Sequence, residues 1–235
     1  MTESLLSRAL VTGRARYNGL PNKYRGFVVG ALCLAVVLLV SFYALRPGPA
    51  PDLSDARYTA GIESMWSRGD LVILVRHAER CDHSTNPCLA QPDGITVKGQ
   101  AMAQELGNSF RAVGLQNADI YNSPLARTTQ TSMFAFGQAT VGQEWLFNCR
   151  KTMLDDILKH KVEHRNLILV THSECMDHLE KTLKVSARTT LDYGTSLFVS
   201  VDQSTHTAKV LGYIDPHGWK NLIDSRAEKR TWPPL

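Results

Sequence analysis

The sequence LVILVRHAER, residues 71–80, decides the fold class of this chain. It is continuously apolar up to Arg76, without the alternation of a half-exposed strand, which predicts a β-strand buried on both faces. A second run of this kind, NLILVTHS at residues 166–173, also ends in a histidine. Strands covered on both faces are typical of parallel sheets flanked by helices, so the chain is predicted to contain an α/β domain.

Helical and strand patterns alternate along the rest of this domain. Helices are predicted at residues 96–113, 124–136, 153–160 and 174–183, and further strands at 118–123, 196–203 and 208–215. The last two strands flank the short turn QSTH. This order predicts a three-layer sandwich, a mostly parallel sheet flanked by helices, over residues 70–235.

The apolar run FVVGALCLAVVLLVSFYAL, residues 27–45, has the composition of a membrane-spanning helix. As a helix it would be about 28 Å long, close to the thickness of a bilayer core. Basic residues precede it, which predicts a cytoplasmic tail at 1–25, a transmembrane anchor at 26–45, a stem at 46–69 and the α/β domain across the membrane. A cleaved signal peptide is the alternative, and the sequence leaves it open.

The net charge of +4 lies entirely in the amino-terminal tail. The chain has 26 basic and 22 acidic residues. Five of the basic residues and one acidic residue come before Leu45, the end of the predicted anchor, so 21 of each come after it. Topology and anionic lipid head groups account for such a tail. Because no basic stripe with interleaved aromatic residues is present, no nucleic-acid partner is expected.

Five cysteines divide between the anchor and the exported part of the chain. Cys33 lies in the apolar run, and the other four are Cys81, Cys88, Cys149 and Cys175. An even number in an exported domain predicts disulfides, with three possible connectivities. The short spacing of Cys81 and Cys88 favours that pair. The spacing is not that of a zinc site, so neither a metal nor another cofactor is expected.

Polar residues follow three of the predicted strands, and ligands of α/β sheets bind at the carboxyl ends of strands. These residues are Arg76-His77, Asn122-Ser123 leading to Arg127, and Thr171-His172. With Arg80, the arginines form a cluster that suits a tetrahedral oxyanion. They also hold nearby histidines partly neutral, and a neutral imidazole can attack phosphorus. His77 is therefore a candidate nucleophile, and His172 a candidate donor to phosphoryl oxygens.

Four segments in order resemble the histidine phosphatase superfamily: RHAER, GITVKGQAMAQELG, NSPLARTTQTS and VTHSE. The resemblance implies a phosphohistidine on His77, with Arg76, Arg127 and His172 completing a phosphate pocket and Arg80 as a further phosphate ligand. Ala78 replaces the glycine of the family motif, and its small side chain leaves room for the pocket.

The same resemblance offers two positions for the proton donor that the leaving group needs. Glu174, two residues after His172, matches the H-A-E position of the acid phosphatases. Glu144 is the nearest match to the donor of mutase-like members. Glu174 is the favoured residue, although a carboxylate there would also suit the first turn of a helix.

A closer resemblance is to the lipopolysaccharide core heptose(II)-phosphate phosphatases of Gram-negative bacteria, carried by the anchor, RHAERCD and the four cysteines. It supports disulfides and implies a phosphatase on the cell inner membrane, with its catalytic domain in the periplasm. The implied partner is a phosphorylated lipopolysaccharide core sugar or another phosphorylated small molecule. A general exported acid phosphatase, a phosphoprotein phosphatase and a non-catalytic phosphate-binding module are the alternatives.

Overall fold

The computed structural model describes residues 21–45, 48–137, 142–186 and 191–231. The chain divides into two compact units, Met1–Pro47 and Gly48–Leu235. In the first unit, helix α1 spans Asn22–Ala44, and its segment Gly26–Ala44 is long and apolar enough to cross a membrane. The predicted anchor is therefore helical over the expected length. The first twenty residues of the predicted tail lie outside the described residues.

A sheet of five strands forms the centre of the second unit. The strands are β1 Leu71–Arg76, β2 Ala118–Asn122, β3 Asn166–Thr171, β4 Ser196–Asp202 and β5 Thr207–Ile214, in the order β2-β3-β1-β4-β5. β3 pairs in parallel with β1 and β2, whereas β4 is antiparallel to β1 and to β5. The sheet is mixed because the short turn between β4 and β5 can join only antiparallel strands.

Helices cover both faces of this sheet. They are α2 Ala56–Arg68, α3 Val97–Val113, α4 Ala126–Phe136, α5 Met153–His160, α6 Ser173–Thr182 and α7 Pro216–Thr231. In β1, Ile73 packs in the cluster that α2, α3, α4 and α7 cover, whereas Leu74 packs in the cluster that α5 and α6 cover. Successive strand side chains point to opposite faces, so one continuously apolar strand serves both cores. The predicted three-layer α/β architecture is confirmed.

The segment expected to be a stem packs on the sheet domain from residue 48 onward. Leu53 is buried, and its backbone amide donates to the carbonyl oxygen of Tyr213 in β5 at 2.9 Å. Ile62 and Trp66 of α2 then pack against the core. Their spacing of four residues is that of one helix face, which explains why the segment joins the domain.

Both disulfides favoured by the sequence are present. Cys81 is bonded to Cys88, and Cys149 is bonded to Cys175. The first closes the loop that follows β1. The second joins the loop before α5 to the first turn of α6, close to the carboxyl end of β3.

Candidate active site

The carboxyl ends of β1, β2 and β3 bring the predicted polar residues together. The backbone amide of His77 donates to the carbonyl oxygen of Thr171 at 3.0 Å, so the ends of β1 and β3 are fixed side by side. The rings of His77 and His172 lie 5.4 Å apart, measured between centroids. The amide of Ser123 donates to Val170 at 3.0 Å, which places the end of β2 beside them.

His77 is held in one tautomer and in the neutral form. Its Nδ1 donates to the carbonyl oxygen of Ala78 at 2.8 Å, so in the neutral ring the lone pair is on Nε2. The side chain is only 4% exposed. Burial, followed by the charges of His172, Arg127 and Arg76, lowers the pKa of His77 to about 3. An unprotonated nitrogen, which a nucleophile requires, is therefore present at neutral pH.

His172 begins helix α6 as its N-cap residue and is also buried. Its Nε2 lies 2.9 Å from the hydroxyl oxygen of Ser123, whereas its buried Nδ1 has no hydrogen-bond partner among the described residues. Burial and the charge of Arg127 lower the pKa of His172 to about 4. Nδ1 is thus the nitrogen that remains for a ligand.

Two half-buried arginines bring positive charge to the histidine pair. Arg76 donates from Nη1 to the carbonyl oxygen of Leu191, and its guanidinium carbon lies 4.2 Å from the ring centroid of Tyr193. Arg127 lies in the first turn of α4. The Nε atoms of both are buried and have no hydrogen-bond partner within the described ranges. Burial lowers the pKa of each guanidinium, which reflects its removal from water.

Arg80 differs from the other two arginines because it already forms an ion pair with an acidic side chain. Its Nε donates to Oδ1 of Asp82 at 2.7 Å, and its Nη2 contacts Oδ2 of the same carboxylate. This hydrogen bonding raises the pKa of Arg80. The positive charge of Arg80 is nevertheless close enough to lower the pKa values of Arg127 and His172. Arg80 therefore lies beside the pocket as one half of an ion pair.

The two candidate proton donors lie in different surroundings. Glu174, in the first turn of α6, lines a cleft of about 120 Å³ together with Arg127 and His172. Glu144 begins a short 3₁₀ helix, is exposed and does not line this cleft. Burial favours the protonated form of Glu174, but its own backbone amide and the charges of His172 and Arg127 lower its pKa below the ordinary value.

Three residues near the histidines were not singled out from the sequence. Tyr193 lies 5.7 Å from the ring of His77, between ring centroids, and Phe147 and Arg150 line the cleft beside Glu174. They come from irregular loops with no motif around them, so no sequence signal marked them. Within the described ranges, no group of three histidine, cysteine, aspartate or glutamate residues has the arrangement of a metal site.

Glu79, in the segment RHAER, holds the loop after β1 in place. Its carboxylate accepts hydrogen bonds from the hydroxyl groups of Ser84 and Thr96 and from the amide of Asn86, at 2.8–3.1 Å. Thr96 in turn caps α3 by accepting from the amide of Gly99 at 2.9 Å. Glu79 therefore connects this loop to the start of α3, and no arginine contacts it among the described residues.

Replacing Ser123 with alanine should lower kcat/KM for p-nitrophenyl phosphate about tenfold. A neutral His172 donates from Nδ1 to a phosphoryl oxygen only when Nε2 is the acceptor, and the Ser123 hydroxyl, 2.9 Å from Nε2, is the donor that this tautomer requires. One hydrogen bond of this kind contributes up to about 1.5 kcal/mol, which corresponds to about tenfold. Ser109→Ala, which removes a hydroxyl from the surface of α3, should leave the rate unchanged. Equal rates for Ser123→Ala and the unsubstituted chain would contradict the tautomer argument.

Comparison with protein families identifies relatives of the described site. A model of the "Histidine phosphatase superfamily (branch 1)" matches residues 72–143. A lipopolysaccharide core heptose(II)-phosphate phosphatase of Shigella flexneri serotype 5b is 40% identical over 114 residues, which are 47% of this chain and 56% of that protein. The protein of the same name from Escherichia coli O139:H28 is 38% identical over 136 residues, 57% of this chain and 67% of that protein.

Solved structures resemble the sheet domain over most of their own length. The putative phosphohistidine phosphatase SixA of Agrobacterium tumefaciens has a TM-score of 0.47 and 18% identity, covering 63% of this chain and 99% of that one. Phosphoserine phosphatase of Entamoeba histolytica, in complex with 3-phosphoglyceric acid, has a TM-score of 0.48 and 15% identity, covering 63% and 98%.

Proposed function

Because this chain belongs to the histidine phosphatase superfamily, we propose that it hydrolyses a phosphomonoester through a phosphohistidine intermediate on His77. The observation that carries the proposal is the state of His77. Its Nδ1 is fixed on the carbonyl oxygen of Ala78, which leaves Nε2 unprotonated, and His172 lies across from it with an unpartnered Nδ1. An arrangement of this kind provides a nucleophile and a donor to the phosphoryl group.

In the proposed first step, Nε2 of His77 attacks phosphorus and the bond from phosphorus to the ester oxygen breaks. Arg76, Arg127 and His172 stabilise the charge on the phosphoryl oxygens during this transfer. Glu174 gives a proton to the departing alkoxide. In the second step, water attacks the phosphohistidine and Glu174 accepts its proton, so inorganic phosphate is released and both side chains return to their starting states.

Arg80 is proposed to bind the phosphate only if its pairing with Asp82 loosens. A guanidinium held by a carboxylate through two nitrogens has fewer donors left for a second anion. The positive charge of Arg80 still favours anion binding in the pocket, because it is close enough to lower the pKa values of Arg127 and His172. Arg80 therefore contributes through its electric field and, when released, as a direct ligand.

The proposed substrate is a phosphate on a lipopolysaccharide core sugar, and the proposed location is the periplasmic face of the inner membrane. The names of the curated relatives support the substrate. The apolar helix Gly26–Ala44 and the two disulfides of the sheet domain support an anchored domain in an oxidising compartment. Core-oligosaccharide mass spectrometry of cells with and without the gene should show one additional phosphate in its absence. An unchanged phosphate count would rule out this substrate.

The phosphohistidine is tested by trapping it on the full chain in detergent. Brief incubation with a ³²P-labelled phosphomonoester, followed by denaturation, should leave a label that acid removes and base does not. His77→Ala should take up no label, while Glu144→Gln should be labelled like the unsubstituted chain. Label that persists in His77→Ala, or none in the unsubstituted chain, would contradict the mechanism.

A further inference from the structure

The cleft beside His172 is lined by more residues than the proposed hydrolysis uses. Besides Arg127, His172 and Glu174, its lining includes Phe147, Arg150 and the two cysteines of the Cys149–Cys175 disulfide. The proposed hydrolysis gives no task to Phe147 or Arg150. Because both line the same cleft as Glu174, the proposed donor to the leaving group, they lie where the leaving group would be bound.

The segment that carries Phe147 and Arg150 is bonded to β3 and α6, the strand and helix that carry His172 and Glu174. The Cys149–Cys175 disulfide joins it to the first turn of α6, next to Glu174. The hydroxyl of Thr171, at the end of β3, donates to the carbonyl oxygen of Leu146 at 3.1 Å. The amide of Phe147 donates to the carbonyl oxygen of Glu144 at 3.0 Å. A segment fixed in this way can hold its side chains in position to select a ligand.

Phe147 and Arg150 offer two different kinds of contact. The side chain of Phe147 is 47% exposed, and its ring centroid lies 6.3 Å from that of His172. Arg150 is exposed, and none of the ion pairs among the described residues includes it. Glu174, the one acidic residue that lines the cleft among the described residues, shares it with two arginines, Arg127 and Arg150. The cleft therefore has an excess positive charge and an apolar surface.

We infer that Phe147 and Arg150 form a leaving-group subsite for a sugar that carries a second anionic group, such as a carboxylate. This inference rests on the proposed phosphatase function. The three free oxygens of the phosphate are served by Arg76, Arg127 and His172, so the guanidinium of Arg150 remains for another anion. Guanidinium groups bind carboxylates through paired hydrogen bonds, and aromatic rings pack on the apolar faces of sugars.

The test compares two ligands that differ only in this group, glucose 1-phosphate and glucuronic acid 1-phosphate. Binding is measured by calorimetry on the full chain in detergent, with His77→Ala as the background, so that no turnover is needed. Glucuronic acid 1-phosphate should bind about tenfold more tightly than glucose 1-phosphate, and Arg150→Ala should remove this preference by weakening the binding of glucuronic acid 1-phosphate more than that of glucose 1-phosphate. Arg150→Lys should retain part of the preference.

Lys151→Ala is the matched control, because it removes one positive charge from the neighbouring exposed position, which does not line the cleft. It should keep the preference. Equal affinities of the two ligands, or an equal loss of both affinities in Arg150→Ala, would overturn the subsite. Failure of the proposed function is separately visible as a missing phosphohistidine label on the unsubstituted chain, since the binding comparison does not depend on turnover.

Discussion

Replacing Glu174 with glutamine lowers kcat/KM for an alkyl phosphate by an expected 10²–10⁴-fold, the range over which a positioned general acid accelerates a reaction. The alkoxide of an alkyl phosphate is a poor leaving group and needs a proton as the ester bond breaks. p-Nitrophenolate leaves without one, so kcat/KM for p-nitrophenyl phosphate should fall by less than about tenfold in the same variant. kcat/KM is the quantity compared because it reports the steps up to departure of the leaving group and not the later hydrolysis, in which Glu174 is the base for both substrates. Steady-state kinetics with glycerol 3-phosphate and p-nitrophenyl phosphate measure the two effects.

Glu144→Gln is the control for this prediction, since Glu144 is the other candidate donor and is exposed outside the cleft. Its rates should match those of the unsubstituted chain with both substrates. A large loss in Glu144→Gln, or equal losses for the two substrates in Glu174→Gln, would show that Glu174 is not the proton donor.

The donor role of Glu174 also has a consequence for the pH dependence of the rate. The pKa of Glu174 lies below its ordinary value in the empty site, so its protonated fraction decreases as the pH rises through the acidic range. kcat/KM for the alkyl phosphate should therefore decrease from pH 4 to pH 7. His77 does not oppose this trend above about pH 4, because its pKa is lowered to about 3 and it remains neutral.

The proximity of His77 and His172 could be predicted because it depends on the pairing of two strands. Each histidine comes at the end of an apolar run that is predicted to be a buried strand, and the carboxyl ends of parallel neighbours lie at one edge of a sheet. The structure pairs Arg76 with Thr171, so the two histidines are the next residues on neighbouring strands. The position of Glu174 in the site could be predicted as well, since Glu174 lies in the helical turn that His172 begins.

Other parts of the site depend on loop contacts, which no local pattern determines. Tyr193 stacks on Arg76 because the amide of Gly194 and the carbonyl oxygen of Thr195 hydrogen-bond to the backbone of Arg76. The pairing of Arg80 with Asp82 depends on the backbone of the loop after β1. Residues 48–69 are a different case, because the apolar spacing of α2 is a local pattern that indicates packing on the core instead of a separate stem.

The buried histidines should make the sheet domain lose stability as the pH falls from 7 to 5. The pKa values of His77 and His172 are lowered to about 3 and about 4 in the folded chain, against an ordinary value of 6.5. Between these values the unfolded chain binds more protons than the folded one. The stabilisation is therefore complete above about pH 6.5 and is lost as the pH decreases, by roughly 2 kcal/mol for each histidine between pH 7 and pH 5.

Urea denaturation of the full chain in detergent, followed by tryptophan fluorescence in phosphate-free buffers, measures this loss. Most carboxylates titrate below pH 5, so the chosen interval isolates the histidines. In His77→Gln the difference in unfolding free energy between pH 7 and pH 5 should shrink by roughly 2 kcal/mol, whatever the stability of the variant at pH 7. His83→Gln, which removes an exposed histidine from the same loop, should keep the full difference. An undiminished pH dependence in His77→Gln would mean that His77 is not held neutral by the fold.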